Sequence, residues 1–479
     1  MSYDVAVVGA GPAGLAAAVT AAGAGCRVAL LDSAPQLGGQ YWRHRDGSGH
    51  GHRAWSVFAG LRADVLRCAV DYRADAAVWF AEAAPPWYVL HIAGAPAVYA
   101  RNLIIATGTF DRALPFPGWD LPGVVTPGAA QALLKGSGVA VGSRVVVAGA
   151  GPFLLPVAAG LLGAGVRVAG VYEAGNPRRY LWRPWVLSVG KVREATGYLA
   201  RLVRHRVPYR TRHAVVAARG SGVVSGVVSG VEVARLDRHG QPVSRSVRTV
   251  ACDAVAVGYG FTPQLELPIA LGCATRLDVD GSLVLDVDLA GRTSVAGVYA
   301  AGEVTGVGGA ELALVEGRLV AAVVALALGR PSPFSELELN RLLSRRAGLR
   351  RFAARMHQVH APPAGWLSWL DAGTLVCRCE EVPRSAIEAA VTDLGATTGR
   401  AVKNLSRAGM GWCQGRVCGY ATAALTAHLC GRELRADDLV SFARRPIGQP
   451  VTLSTIATAD TPGTRDTPGT PDTPGTPDT

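Results

Sequence analysis

The sequence predicts an α/β fold with two dinucleotide-binding βαβ units, the second inserted in the first, followed by a small helical C-terminal domain. Three observations carry this expectation. VAVVGAGPAGLAAA sets a glycine turn between an apolar strand and an alanine-rich helix, VVVAGAGPFLLP repeats the pattern around residue 149, and four cysteines fall together between residues 377 and 418. Two such starts in one chain imply a duplicated, Rossmann-like nucleotide-binding fold.

The 479 residues, 49% of them hydrophobic and 59 of them glycine, suffice for two or three domains with buried cores. Residues 1–115 and 258–330 read as the first nucleotide-binding domain, and 116–257 as the second with its linker. A helical connector follows over 331–372, then the cysteine block 373–432, a C-terminal segment 433–455 and a tail 456–479. The last 20 residues repeat a six-residue unit whose Asp recurs at 460, 466, 472 and 478. With Pro and Gly in every unit and almost nothing apolar, this tail is expected to be disordered. RGSGVVSGVVSGVEV, from Arg219, reads as a strand, a turn and another strand.

Composition narrows the class. The net charge of +12 comes from arginines spread along the chain, with three lysines, no aromatic interleaving and no nucleic-acid motif, so nucleic acid is not an expected partner. A basic surface favours an acidic partner protein or peripheral association with an anionic membrane face. The first residues run straight into the opening strand without a basic n-region, and no apolar run approaches the roughly 18 residues of a membrane span. The expected location is cytoplasmic. In a reducing compartment, clustered cysteines point to metal or redox chemistry, whereas Cys26, Cys68, Cys252 and Cys273 read as small core residues.

In the first unit, strand residues run directly into Gly9, Gly11 and Gly14, then a helix, then a second strand ending at Asp32. Gly9 permits the tight turn, Gly11 lets the backbone approach a pyrophosphate, and Gly14 lets the helix pack closely. The free amides at the helix start face the anion. Asp32, 18 residues beyond Gly14, stands where a carboxylate accepts hydrogen bonds from an adenosine ribose. Three further segments bear on which dinucleotide this is. They are LGGQYW (Gly38, Gly39, Gln40), NLIIATGT (Ala106, Thr107, Gly108) and SVAGVYAAGEVTGVGGAELAL (Gly302, Glu303, Gly308, Gly309). Together they resemble the two-dinucleotide-domain flavoprotein reductases, which implies FAD. In that family the acid of the last segment, usually Asp and here Glu303, holds the ribityl chain, and the helix start at Gly308 and Gly309 faces the flavin. Without the resemblance, Glu303 reads as an acid favouring a helix N-terminus.

In the second unit Gly149 and Gly151 keep the turn, but Leu154 stands at the third glycine position. Glu173 ends the next strand, where it would take a ribose and disfavour a 2′-phosphate. Three readings stay open: an NAD site, a site for another adenine nucleotide, and an inherited fold without a ligand. Disulfide reductases of this fold keep a redox cysteine pair beside the flavin. GGQYWRHRDG has none and the second domain holds the single Cys252, which excludes a dithiol mechanism.

Cys377, Cys379, Cys413 and Cys418 form C-x-C, 33 intervening residues and C-x4-C. VPRSAIEAAVTDLG between them reads as a helix, with Pro383 in its first turn, Ile387, Val391 and Leu394 on one face and Gly395 at its end. GYATAALTAHLCG reads as another. Thiols on two loops, each followed by a helix, suit an anionic iron-sulfur cluster, which amides and the cations of Arg378 and Arg416 would stabilise. Structural zinc pairs usually have two to four intervening residues, so CRC is tight for zinc. CRCEEV with GMGWCQGRVCG resembles the 2Fe-2S module related to bacterioferritin-associated ferredoxin (BFD). That module is fused to the FAD-binding subunits of hydrogen cyanide synthase, opine oxidases and dye-linked proline or hydroxyproline dehydrogenases. PFPGWDLPGVVTPGAAQALL is also typical of them, so the likeness reaches about residue 455.

The resemblance implies an oxidoreductase subunit with FAD and a 2Fe-2S cluster. A second flavoprotein would oxidise an amine, amino acid or opine, and a quinone or ferredoxin-like acceptor would lie downstream. Two other readings remain: a self-sufficient NADH-dependent reductase, and a nucleotide-sensing protein with a structural metal. No hydrolase signature competes. His44, His50, His52, His357 and His360 read as solvated or packing residues rather than ligands.

Overall fold

Apolar runs set the two central sheets. The computed structural model describes residues 2–45, 54–182, 189–221 and 226–457. His50, His52, the turn inside the Arg219 segment and the repeat tail from residue 458 lie outside the described residues. The first βαβ unit is β1 (Ser2–Val8), α1 (Pro12–Gly23) and β2 (Val28–Leu31), extended by α2 (Trp55–Arg67) and β3 (Asp71–Arg73). β2 is buried at every position and β1 at most of them, as parallel strands covered on both faces should be. With β4 (Val78–Ala84), β5 (Trp87–Ile92) and β6 (Ala95–Ile105) the order is β3-β2-β1-β6-β5-β4. β6 changes partner partway along one edge. Its Tyr99 and Ala100 pair with β5, and its Leu103 to Ile105 with a strand that returns much later, Val298–Ala300.

The intervening chain holds β7 (Thr109–Asp111), β8 (Val124–Val125), α3 (Pro127–Ala132) and the second βαβ unit: β9 (Arg144–Gly149), α4 (Leu154–Gly163) and β10 (Arg167–Glu173). α5 (Val189–Arg204) and β11 (Tyr209–Thr211) follow. β12 (His213–Ser221) and β13 (Val227–Arg235), the two strands expected around Arg219, pair antiparallel with each other, and β13 pairs with β14 (Arg248–Ala251). β15 (Ala254–Gly258) completes a parallel sheet, β11-β10-β9-β15-β8. The two crossings between the domains are clasped together, because β16 (Phe261–Pro263) pairs antiparallel with β7.

α6 (Glu266–Ala270) precedes α7 (Ala310–Ala327), whose small residues let it lie against α1 backbone to backbone. A methyl group added at Gly317 would stand 2.2 Å from the Ala13 carbonyl oxygen. α8 (Glu336–Val359), opened by a capping box at Ser335 and Glu338, forms most of the connector. In the cysteine block, α9 (Arg384–Thr392) and α11 (Gly419–Leu429) stand where the apolar spacing placed them, with Pro383 capping α9 rather than sitting inside its first turn. α10 (Gly399–Ser406) was not expected, since its eight residues bury Gly399 and Val402 and show no repeat long enough to read. α12 (Ala436–Ala443) and a short helix at Leu453–Ala457 end the described chain.

The cysteine block is wedged between both nucleotide-binding units. One buried cluster joins Phe116 and Trp119 of the linker, Tyr259, Trp366 of the connector, and Val376 and Leu425 of the block. Another joins Leu265 and Leu283 to Ala423, Leu439 and Phe442. Among the described residues no helix is long and apolar enough to cross a membrane.

The α1–α7 contact leaves no room for a side chain. Gly317→Val is expected to lower stability by about 1–3 kcal/mol, the usual cost of overpacking, seen as a lower thermal midpoint. Gly23→Ala, where an added methyl meets nothing within 4 Å, should hold or raise the midpoint, because alanine is the better helix former.

Candidate functional site

Three parallel strands end level. Val8 lies opposite Ile105, and Ile105 opposite Ala300. Gly9, Ala106 and Ala301 therefore leave the sheet side by side at its C-terminal edge, where open α/β sheets bind ligands. Gly9 takes φ +105°, and a methyl there would stand 2.3 Å from the Ala106 carbonyl oxygen. A methyl on Gly14 would stand 1.7 Å from the Gly9 carbonyl oxygen, so helix and turn touch directly. Gly11, the N-cap of α1, has nothing within 4 Å of its open side. A methyl on Gly39 would stand 2.8 Å from Gly11 Cα, with Gln40 exposed beside it. These contacts leave an open-sided cradle at a helix N-terminus, which suits a pyrophosphate.

Asp32 stands at its rim. Its carboxylate accepts from the amides of Ala10 (2.5 Å) and Ala34 (2.7 Å), while burial pushes its pKa up. Thr107 donates its hydroxyl to the Gln264 carbonyl at 2.8 Å, and the Gln264 amide donates back to Gly108 at 2.9 Å, tying this segment to the returning chain. Gly302 (φ +81°) precedes Glu303, whose carboxylate accepts from the amides of Gly309 (2.8 Å) and Gly308 (3.3 Å) at the start of α7. Thr109 reaches its other oxygen at 3.5 Å. In this state Glu303 caps the helix whose N-terminus borders the cradle. Behind it, buried Glu316 accepts from the Gly302 amide (3.1 Å) and the Thr305 hydroxyl (3.2 Å) and pairs with Arg350 at 2.6 Å.

The second unit repeats the level ending, with Gly149 opposite both Glu173 and Gly258. A methyl on Gly149 would stand 1.7 Å from the Gly258 carbonyl oxygen. Leu154 alters the start of the helix. α1 begins one residue after Gly11, whereas α4 begins three residues after Gly151, at the buried Leu154. Glu173 is 1% exposed and accepts from the amides of Gly151 (3.2 Å) and Gly175 (2.8 Å). His360, just beyond α8, places Nδ1 3.3 Å from the same carboxylate, and the Tyr180 ring stands 5.8 Å from the His360 ring.

Cys377 and Cys418 are buried, Cys413 is half-buried and Cys379 exposed. The thiols are neighbours in a chain. Cys418 lies beside Cys377 and Cys413, and Cys413 beside Cys379. The amides of Gly409, Glu380 and Cys379 point at Cys377, and those of Val417 and Gly415 at Cys413. The Cys418 contact and these amides bring Cys377 down to about 6 and Cys413 down to about 5, while its two thiol partners and burial push Cys418 up strongly. Among the described residues no three His, Cys, Asp or Glu side chains share a position suited to one metal ion. Four thiols ringed by backbone donors match the needs of a thiolate-held iron-sulfur cluster. Phe442 of α12 fills the hollow beneath, since added methyls on Gly409, Gly415 and Gly419 would each stand 3.1 Å from its side chain.

Several buried charges join this block to the rest, and none has a local spacing that reveals it. Glu266 takes Arg416 at 2.9 Å and Arg445 at 2.7 Å. Arg112 pairs with Asp280, donates to the Asp280 carbonyl at 2.8 Å, and lies 4.8 Å from the ring centre of Tyr420. Arg378 stacks on Trp119 at 4.8 Å, and Trp119 Nε1 donates to the Leu375 carbonyl at 2.5 Å. The histidines pack: His44 lies against Trp55 and Phe58, and His357 Nε2 donates to the Val307 carbonyl at 2.7 Å.

Residues 3–329 match the family model for pyridine nucleotide-disulphide oxidoreductases, and residues 375–428 the model for the BFD-like [2Fe-2S] binding domain. Fold and site thus define an FAD-dependent oxidoreductase with a second, iron-sulfur module. The chain belongs to the pyridine nucleotide-disulphide oxidoreductase family, in the group that contains the A subunit of opine oxidase and the HcnB subunit of hydrogen cyanide synthase. It is 33% identical over 485 residues to the A subunit of opine oxidase from Agrobacterium tumefaciens (strain Ach5), covering 95% of this chain and 91% of that protein. To HcnB of Pseudomonas protegens it is 34% identical over 442 residues, covering 89% and 92%. The crystal structure of L-proline dehydrogenase from P. horikoshii shares the fold, with a TM-score of 0.68 at 20% identity over 95% of this chain and 79% of that one.

Burial pushes the Glu303 carboxyl above the usual range, and the Gly309 and Gly308 amides pull it partly back. A carboxyl raised in the fold favours the folded state when protonated, and that advantage is lost as pH rises from the unfolded pKa through the folded one. For the cofactor-free protein, Glu303→Gln is expected to raise the thermal midpoint near pH 8. The gain should vanish below the ordinary carboxylate pKa, and a gain independent of pH would contradict this.

Proposed function

We propose that this chain is the electron-relaying subunit of a heteromeric oxidoreductase. A partner flavoprotein oxidises the C–N bond of an amine, amino acid or opine, and this chain passes the electrons to a quinone or ferredoxin-like acceptor. The names of two relatives, each a subunit of a larger oxidase or synthase, support a subunit role. Bound FAD exchanges two electrons with a donor and one at a time with a 2Fe-2S cluster.

One adjacency carries this reading. Thr109 reaches Glu303 at the candidate flavin cradle, and the next residue, Phe110, lies under Arg416 of the Cys413–Cys418 loop, 5.8 Å from guanidinium to ring centre. A single short strand touches both redox sites. In this reading Gly9, Gly11, Gly14, Asp32, Gly39 and Gln40 hold the adenosine and pyrophosphate side of FAD. Ala106, Thr107, Gly108, Gly302, Glu303 and Gly309 line its flavin side, and Cys377, Cys379, Cys413 and Cys418 hold the cluster.

The glycine turn at Gly149 and Gly151 favours a competing reading, an NADH-dependent reductase. Against it stands Glu173, buried beneath His360 rather than open to a ribose.

Coexpression with neighbouring genes should yield a complex that reduces an artificial acceptor with an amine, amino acid or opine, whereas this chain alone should show no such activity. Excess NADH under anaerobic conditions should leave the purified chain's flavin oxidised, and rapid bleaching would decide for the reductase. Cys413→Ser and Cys418→Ser should each abolish the reduced-cluster EPR signal while FAD content stays parental. A normal signal in both removes the ligand assignment.

A further inference from the structure

Glu266 is a single buried carboxylate set against two guanidiniums. Arg416 Nε and Arg445 Nη1 meet the same oxygen, Oε1, at 2.9 and 2.7 Å. Glu266 and Arg445 are both 8% exposed, and neither guanidinium pairs with a second carboxylate among the described residues. Arg445 Nε is buried without a hydrogen-bond partner. The three charges come from three places: α6 of the first nucleotide-binding unit, the loop between Cys413 and Cys418, and the segment after α12. Arg416 also donates to the Cys413 carbonyl at 3.4 Å and to the Gly448 carbonyl, and the Gly448 amide donates to the Trp79 carbonyl at 2.7 Å. The clamp is therefore fixed at both ends.

A buried cation and a part-buried one facing a single buried anion leave an excess positive charge, which is costly unless an anion stands nearby. Cys413 stands beside the clamp, since its carbonyl accepts from Arg416 three residues on; burial pulls the Arg445 pKa down and Arg416 adds to this, against the opposing pull of Glu266 and Cys413. Four thiolates around a 2Fe-2S cluster supply that anion, and each added electron makes it more negative. Charges placed just beyond the ligands tune a metal site without coordinating it.

We propose that Arg445 and Arg416, held in place by Glu266, are positioning residues that raise the reduction potential of the cluster held by Cys377, Cys379, Cys413 and Cys418. This rests on the cluster reading above and extends it to Glu266 and Arg445, which lie outside the 375–428 module, so that the cluster reaches its working potential when seated on the first nucleotide-binding unit. A cation stabilises the more negative, reduced state, and a carboxylate opposes it. Neutralising Arg445 therefore lowers the potential, and neutralising Glu266 raises it.

The test is an EPR-monitored redox titration of the full-length holoprotein, with iron and sulfide content and the FAD potential measured alongside. Arg445→Gln is expected to shift the cluster to lower potential by on the order of tenfold in its one-electron equilibrium, about 59 mV, with iron, sulfide and FAD values unchanged. Arg445→Lys should stay near the parent, and Glu266→Gln should move the other way. A purely structural role predicts loss of cluster or shifts of one sign in both neutralising variants. Unmoved potentials, shifts of one sign, or loss of the cluster from both overturn the proposal. If the parent itself lacks a reduced 2Fe-2S signal, the functional reading falls. A parental signal with unmoved variants sinks this proposal alone.

Discussion

The candidate flavin cradle depends on register. Val8, Ile105 and Ala300 end at one level although almost three hundred residues separate the first from the last, and a slip of one position would turn each strand's side chains to the opposite face. The level ending places the glycine turn before α1 and the Gly302 turn before α7 at the same height. Their helices then touch backbone to backbone at Gly317 and Ala13, which fixes the two N-termini relative to each other. Two helix N-termini thus flank one crevice, that of α7 with its Gly308 and Gly309 amides held by Glu303. Glu316, holding the Gly302 amide, Thr305 and Arg350, carries the same constraint out to the connector helix α8.

What could be read from the sequence was what folds locally. The glycine turns, Asp32, the strand runs, α9, α11 and the spacing of the four cysteines each declare themselves within a few tens of residues, because backbone sterics and helical period act over that range. The contacts that unite the domains do not. Glu266 and Arg445 are 179 positions apart, and Arg112 and Asp280 are 168. A buried ion pair leaves no periodic trace in sequence, and an arginine-rich chain offers many candidate partners for each acid. Glu303 is an intermediate case. Both of its suggested roles, ribityl contact and helix cap, were legible, and the structure has it capping α7.

The second nucleotide-binding unit keeps the form of its counterpart while its acid serves the connector. The Glu173 carboxylate at the end of β10 is a buried charge, and a buried charge without a partner is destabilising. The Gly151 and Gly175 amides satisfy it in part, and His360 completes the enclosure. Leu154 belongs to the same change. With leucine at the third glycine position, α4 starts three residues after Gly151 where α1 starts one after Gly11, so its N-terminal amides lie two residues farther along the chain from the turn. The unit's Val146, Ala148 and Val255 share one core with Trp366, Trp369 and the cysteine block.

That packing bears on how the candidate flavin cradle and the cysteine block are held together. In the relay proposed above, electron transfer would weaken steeply with distance, so rigid seating would matter more than a wide crevice. The seating here combines an extended apolar core with buried charge: Arg112 pairs with Asp280 and stacks on Tyr420, two residues after Cys418, while Trp119 and Arg378 tie the linker to the CRC loop. The apolar core supplies stability, whereas a buried ion pair contributes little net stability and strongly penalises arrangements that break it. Such pairs define position. Two separate sites, Arg112–Asp280 against Tyr420 and Glu266 with its two arginines, resist rotation of the block in a way that a single contact, however strong, would not.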